Sequence, residues 1–204
     1  MIELFDRGGM MMYPLALTSL IAVAYILERI LALRKRKILV PEIISIVENF
    51  SALKDIDLAN TVCNKYSGPL PNIVKLGLEN YSLPKAELKE LIEDHGRQEA
   101  RNLDRGLVVL ETIAAIAPLM GLLGTVLGMV RVFEVIKDQG IGQTAALSGG
   151  ISEALLTTVT GLFIGIPVLI AYYFFSNKSE NLIMDIEGYT NDLLLKINRI
   201  RTGE

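Results

Sequence analysis

Tryptophan is absent from this chain of 204 residues, and histidine and cysteine occur once each, as His95 and Cys63. A single cysteine excludes an intrachain disulfide. One imidazole and one thiol are too few for a metal centre of the usual nitrogen and sulfur type, so no metal and no other cofactor is expected. The net charge of −3 gives no reason to expect the basic surface that nucleic acid requires, and no nucleic-acid partner is expected. The sequence pairs no nucleophile with a base and holds no phosphate-cradling loop, so it does not read as an enzyme.

Charge is missing locally rather than globally. Residues of the DEKR type make up 21% of the chain, yet Gly8–Leu27, Thr112–Val130 and Ala154–Phe175 contain none. Each stretch is close to the roughly 20 residues that cross about 30 Å of hydrocarbon. This segregation reconciles the charge content with a hydrophobic share of 51%. It predicts an all-α membrane protein with three transmembrane helices, in contact with membrane lipid. The first stretch does not read as a cleaved leader. It has no basic segment ahead of it and no small-x-small site, and it runs into Arg34-Lys35-Arg36-Lys37. That basic run places the end of the first span in the cytoplasm. Arg97, Arg101 and Arg105 before the second span agree, as do Lys178, Lys196, Arg199 and Arg201 after the third. The expected orientation has the N-terminus periplasmic and the C-terminus cytoplasmic, in the bacterial inner membrane.

The expected organisation follows from these spans. Residues 1–33 hold the N-terminal segment and first span, and 34–105 a cytoplasmic helical insert. The second span covers 106–138, a periplasmic turn 139–148, the third span 149–175 and a cytoplasmic C-terminal helix 176–204. Within the insert, Pro41 opens a pattern of Ile43, Ile44, Ile46 and Val47. Ser67-Gly68-Pro69-Leu70-Pro71 breaks it, and Ile73, Val74, Leu76 and Leu78 form a further short helix. From Lys85 nothing stops a helix until about Gly140, so the second span is expected to begin well inside the cytoplasm. Leu182, Ile183, Ile186, Tyr189, Leu193, Leu194 and Ile197 repeat at helical spacing and extend the third span likewise. These extensions predict a cytoplasmic helical bundle. Pro118 and Pro167 fall inside spans, where they are expected to bend the helix. Cys63 reads as a small core residue, and Glu28 and Arg29 as an ion pair at the membrane surface.

Two spans carry more than lipid contact demands. Gly121, Gly124, Thr125 and Gly128 recur at three and four residues and share a face. Thr158, Gly161 and Gly165 do the same in the third span, with Glu153 and Thr157 on a neighbouring face. Small faces let backbones approach closely in lipid. For the glycines, packing is a sufficient reading. For the threonines the alternatives are a polar pathway and a hydroxyl spent on its own helix's i−4 carbonyl. Glu153 is either a functional carboxylate near the outer end of its span or a helix-start glutamate favoured by the dipole.

GLLGTVLGM in the second span, GGISEALLTTVTGLFIGIP in the third and ILERILALRKRK at the end of the first together resemble the MotA/TolQ/ExbB proton-channel family, in its three-helix ExbB/TolQ branch. The resemblance is most specific across residues 117–167. It implies a homo-oligomeric ring of five copies around a dimer of single-span ExbD/TolR-type subunits. It further implies use of the proton motive force to drive work on a periplasmic or outer-membrane partner through a TonB- or TolA-type protein. The family's pore threonines fall on Thr125 and Thr158, and its outer glutamate on Glu153. The segment ahead of the first span is shorter than in some ExbB members, which leaves ExbB-like and TolQ-like tasks both open.

The chemistry is consistent with that implication. Threonine does not titrate usefully, but it can hold water and hydrogen-bond a carboxylate that does. No acidic residue stands in the middle of any span, so a proton carrier has to come from another chain. Each charge crossing 100 mV delivers roughly 2.3 kcal/mol. The competing reading is a non-conducting scaffold that clusters membrane partners through its helical extensions. A secondary transporter fits poorly, because three spans show neither broken-helix pairs nor an inverted repeat.

Overall fold

A computed structural model of the chain describes residues 8–50, 56–140 and 144–202. Every regular element among them is a helix: α1 Met12–Ala32, α2 Lys35–Ile38, α3 Pro41–Asn49, α4 Ile56–Cys63, α5 Pro69–Glu79, α6 Lys85–Asp104, α7 Leu107–Gln139 and α8 Thr144–Thr202. Three helical stretches are long and apolar enough to cross a membrane, Met12–Ala32, Lys85–Asp138 and Leu147–Arg201. The uninterrupted helix anticipated from Lys85 is divided at Arg105 and Gly106. Both residues keep right-handed helical dihedrals, and glycine is the weakest helix former after proline. The anticipated turn at 139–148 falls partly on residues 141–143, outside the described residues. Gly140 leaves α7 at φ +75, a region open to glycine without strain, and its N–H donates to the Ile136 carbonyl at 2.9 Å.

The described residues form two compact units. The first combines those up to Glu28 with Gly106–Phe174. Its helices bury little of their apolar surface. Leu17, Leu20 and Val23 of α1 are exposed, as are Leu122, Val126 and Leu127 of α7 and Leu155, Val159, Phe163 and Ile170 of α8. Such continuous apolar surface is a liability in water and a match for hydrocarbon.

The second unit, Arg29–Arg105 with Phe175–Glu204, has a conventional core. Ile43 and Val47 of α3, Ile73, Val74 and Leu78 of α5, and Leu88 and Ile92 of α6 are buried. The C-terminal part of α8 contributes Leu182, Ile186, Leu193 and Ile197. These helices pack as a bundle that includes the extension of α8 anticipated from the spacing. Its polar atoms tie helix ends together. Lys196 donates to the Val47 and Glu48 carbonyls at 2.8 and 2.7 Å, satisfying the last turn of α3 with a cation. Buried Arg29 donates through Nη1 to the Leu103 carbonyl at 2.7 Å. Buried Ser179 donates to Asp104 Oδ1 at 2.7 Å.

Cys63 is buried on α4. Burial pushes its thiol from 9.0 to about 11, against the opposing pull of the Lys75 charge. The thiol is therefore inert near neutral pH. Thiol-reagent titration of the detergent-solubilised chain at pH 8 is expected to find no reactive group until denaturant is added. Because the folded state holds this proton more tightly, its contribution to stability is complete below pH 9 and is lost as pH rises through about 11. Cys63→Ala is expected to remove that alkaline loss from the pH dependence of thermal unfolding.

Candidate functional site

Helix α7 and the first half of α8 pack at backbone distance. The contacts pair rising residue numbers on α7 with falling numbers on α8, so the two helices run antiparallel. A Cβ on Gly161 would stand 2.5 Å from the Ala117 carbonyl oxygen and 3.0 Å from the Gly121 Cα. One on Gly121 would stand 2.8 Å from the Thr157 carbonyl oxygen, and one on Gly128 2.9 Å from the Ala154 Cβ. At Gly124 the neighbour is Thr157 Oγ1, at 2.5 Å, and at Gly165 it is Pro118 Cγ, at 2.7 Å. Real side chains do not pack that tightly, so the seam exists only because these positions lack one. Pro118 removes the donor for the Ala114 carbonyl. That oxygen lies 3.3 Å from where a Gly165 Cβ would stand, in the same tight contact.

The threonines lie on this seam. The Thr125 and Thr158 hydroxyls contact each other across it. Thr125 Oγ1 is also 3.0 Å from the Ala154 carbonyl and 3.3 Å from that of Gly121. Thr158 Oγ1 is 3.1 Å from the Gly121 carbonyl. Two hydroxyls have two hydrogens between them. Each hydroxyl therefore donates once, to the other hydroxyl or to one of these carbonyls, and lone pairs remain as acceptor sites. Both residues are half-buried. Thr157 differs. It is 1% exposed, wedged against Gly124, and its hydroxyl donates to the Ala154 carbonyl at 2.8 Å. Thr160 donates at 2.8 Å to Leu156 of its own helix, the local bond that threonine makes readily in apolar surroundings.

Glu153 stands at one end of the seam with a side chain 21% exposed. Arg131 of α7 faces it, and Arg131 Nη1 donates to both carboxylate oxygens at 3.1 and 3.0 Å. The chain at Gly9 presses on the same carboxylate. A Cβ there would overlap Glu153 Oε1, and Gly9 adopts φ +67. Sequence reasoning missed Arg131, although a signal existed. Arg131 is the first charge after the charge-free second span, three residues past Gly128, and Glu153 is the last charge before the third. Among the described residues no group of three or more His, Cys, Asp or Glu is placed to hold a metal.

The model of the MotA/TolQ/ExbB proton channel family matches residues 66–188, which include the whole seam. A putative biopolymer transport protein ExbB homolog of Methanothermobacter thermautotrophicus is 31% identical over 191 residues, 91% of this chain and 66% of the relative. The biopolymer transport protein ExbB of Neisseria gonorrhoeae is 37% identical over 100 residues, 49% of this chain and 46% of that protein. That of Aquifex aeolicus is 34% identical over 113 residues, 55% and 76%. The chain thus spans about half to two thirds of the length of the first two of these relatives.

The glycine geometry discriminates between positions. Gly161→Ala is expected to destabilise the chain by about 1–3 kcal/mol through overpacking, read as a lower melting temperature in detergent. Gly149→Ala, where nothing lies within 4 Å, is expected to be neutral or to stabilise α8 by up to about 1 kcal/mol from helix propensity.

Proposed function

This chain belongs to the MotA/TolQ/ExbB proton channel family, in its ExbB branch, and from that premise we propose that it is the ion-conducting subunit of an energy-transducing assembly in the inner membrane. Protons are the proposed ion. Five copies form a ring around a dimer of single-span ExbD/TolR-type subunits, with the N-terminus periplasmic and the C-terminus cytoplasmic. The assembly couples the proton motive force to a TonB- or TolA-type protein that acts on a periplasmic or outer-membrane partner.

The observation that supports this reading is the meeting of the Thr125 and Thr158 hydroxyls, on half-buried residues, inside a three-helix unit whose spans hold no mid-membrane carboxylate. A pair of hydroxyls conducts no proton by titration. It orients water and offers hydrogen bonds to an acid that approaches from another chain. An aspartate on the central partner's span is that acid. Glu153 marks the outer end of the same pathway, and Thr157 supports it from within the seam. The proton flow performs the work. Each proton crossing 100 mV releases roughly 2.3 kcal/mol, so a few per cycle bias one arrangement of ring and partner over another.

One observation favours the second reading, a non-conducting scaffold. Both hydroxyls already have carbonyl acceptors within the chain, which packing alone accounts for. Proton flux in liposomes holding the full chain and its single-span partner separates the two. Thr158→Val is expected to lower flux about tenfold, the rate equivalent of one hydrogen bond near 1.4 kcal/mol, while Thr158→Ser retains it. Wild-type flux from both Thr125→Val and Thr158→Val would remove the threonines from the pathway. Absence of flux from the wild-type chain with any single-span partner would favour the scaffold.

A further inference from the structure

Glu153 is not a lone carboxylate, and the group that answers it carries no assigned role. We propose that Arg131 is the positioning residue for Glu153. The two work as an ion pair that holds the end of the α7–α8 seam beneath the chain at Gly9, and Glu153 contributes through this pair rather than as a free proton carrier. The inference rests on the ion-conducting reading of the chain.

Three observations carry it. First, one nitrogen makes both contacts. Arg131 Nη1 lies 3.1 and 3.0 Å from the two oxygens, centred on the carboxylate. Second, the partners differ in exposure. The Glu153 side chain is 21% exposed and that of Arg131 61%. The carboxylate is withdrawn from solvent and the guanidinium reaches to it from the wetter side, as an arginine just past a charge-free span does. Third, the chain at Gly9 closes over Oε1, leaving no room for a Cβ. A carboxylate covered in this way is costly unless a counter-charge meets it. Arginine, which does not lose its proton in proteins, meets it permanently. The pair also continues the register of the seam. Gly128 lies against Ala154, Gly150 against Val132, and Arg131 and Glu153 stand between those two contacts. Breaking the pair would therefore free the carboxylate and loosen the same end of two helices whose other contacts position Thr125 and Thr158.

A mutant cycle on the full chain tests this with two readouts, proton flux with the single-span partner and melting temperature of the chain alone in detergent. Arg131→Gln and Glu153→Gln are each expected to lower flux about tenfold, with the double variant no worse than either, the non-additive pattern of a pair. Arg131→Lys is expected to retain flux, because a single nitrogen suffices for both contacts. Each neutralisation is expected to lower the melting temperature by about 2 °C, again without further loss in the double variant. Wild-type flux from Arg131→Gln overturns the proposal, as does a double variant whose losses simply add. A Lys variant as inactive as the Gln variant overturns it too. Absence of flux in the wild type would instead defeat the ion-conducting reading, and the melting cycle would still decide whether the pair exists.

Discussion

The seam between α7 and α8 depends on backbones meeting where side chains are missing. In hydrocarbon no hydrophobic force pushes helices together, because lipid is as apolar as leucine. What remains is dispersion over a close, complementary surface and the hydrogen bonds that closeness permits. Glycine inside a helix costs about 0.5–1 kcal/mol relative to alanine. Gly121, Gly124, Gly128, Gly161 and Gly165 all accept that cost on one interface. The return is proximity. With one more carbon at Gly121, the Thr158 hydroxyl could not reach the Gly121 carbonyl, and Thr125 could not reach Ala154.

The two compact units solve opposite solvent problems with the same secondary structure. In the second unit, apolar side chains such as Ile43, Leu70, Leu78 and Leu193 are withdrawn from water, and loose backbone carbonyls are met by Lys196 and Arg29. In the first, Leu122, Phe163 and Ile170 face outward, and what is withdrawn is the polar content: Thr157, the carbonyls near Gly121 and Ala154, and the Glu153 carboxylate. An outward apolar surface and an inward polar seam are what a membrane favours, since unpaired polar groups are expensive there and apolar ones are not.

That inversion frames the functional reading. Hydroxyls and one paired carboxylate make a chemically quiet interior with hydrogen-bonding capacity but no titrating group at mid-span. Such a chain is suited to hosting a proton-carrying group and unsuited to being one, which is the chemical reason for proposing a single-span acidic partner. The ion pair at the end of the seam belongs to the same logic, since it places a necessary charge where it is answered.

Much of this was legible in the chain itself. Three charge-free stretches announced the spans, because length and transfer energy alone decide membrane crossing. The 3–4 spacing of Leu182, Ile186, Leu193 and Ile197 announced the extension of α8, because helical period is a local property. The clustering of glycine and threonine on single faces was equally visible. Other features were not. That Gly124 opposes Thr157 rather than Thr158 depends on the register and rotation of two helices, as does the full burial of Thr157 beside the half-buried Thr158. Neither quantity is a property of either helix alone. Arg131 and Glu153 are 22 residues apart in sequence, and only the antiparallel return of α8 along α7 brings their charges together. The sequence by itself thus determined the long helical segments, which stretches enter the membrane and which faces are small. Tertiary structure alone decided which small residue meets which hydroxyl and which charge answers Glu153, because contact between distant residues is set by packing and not by local preference.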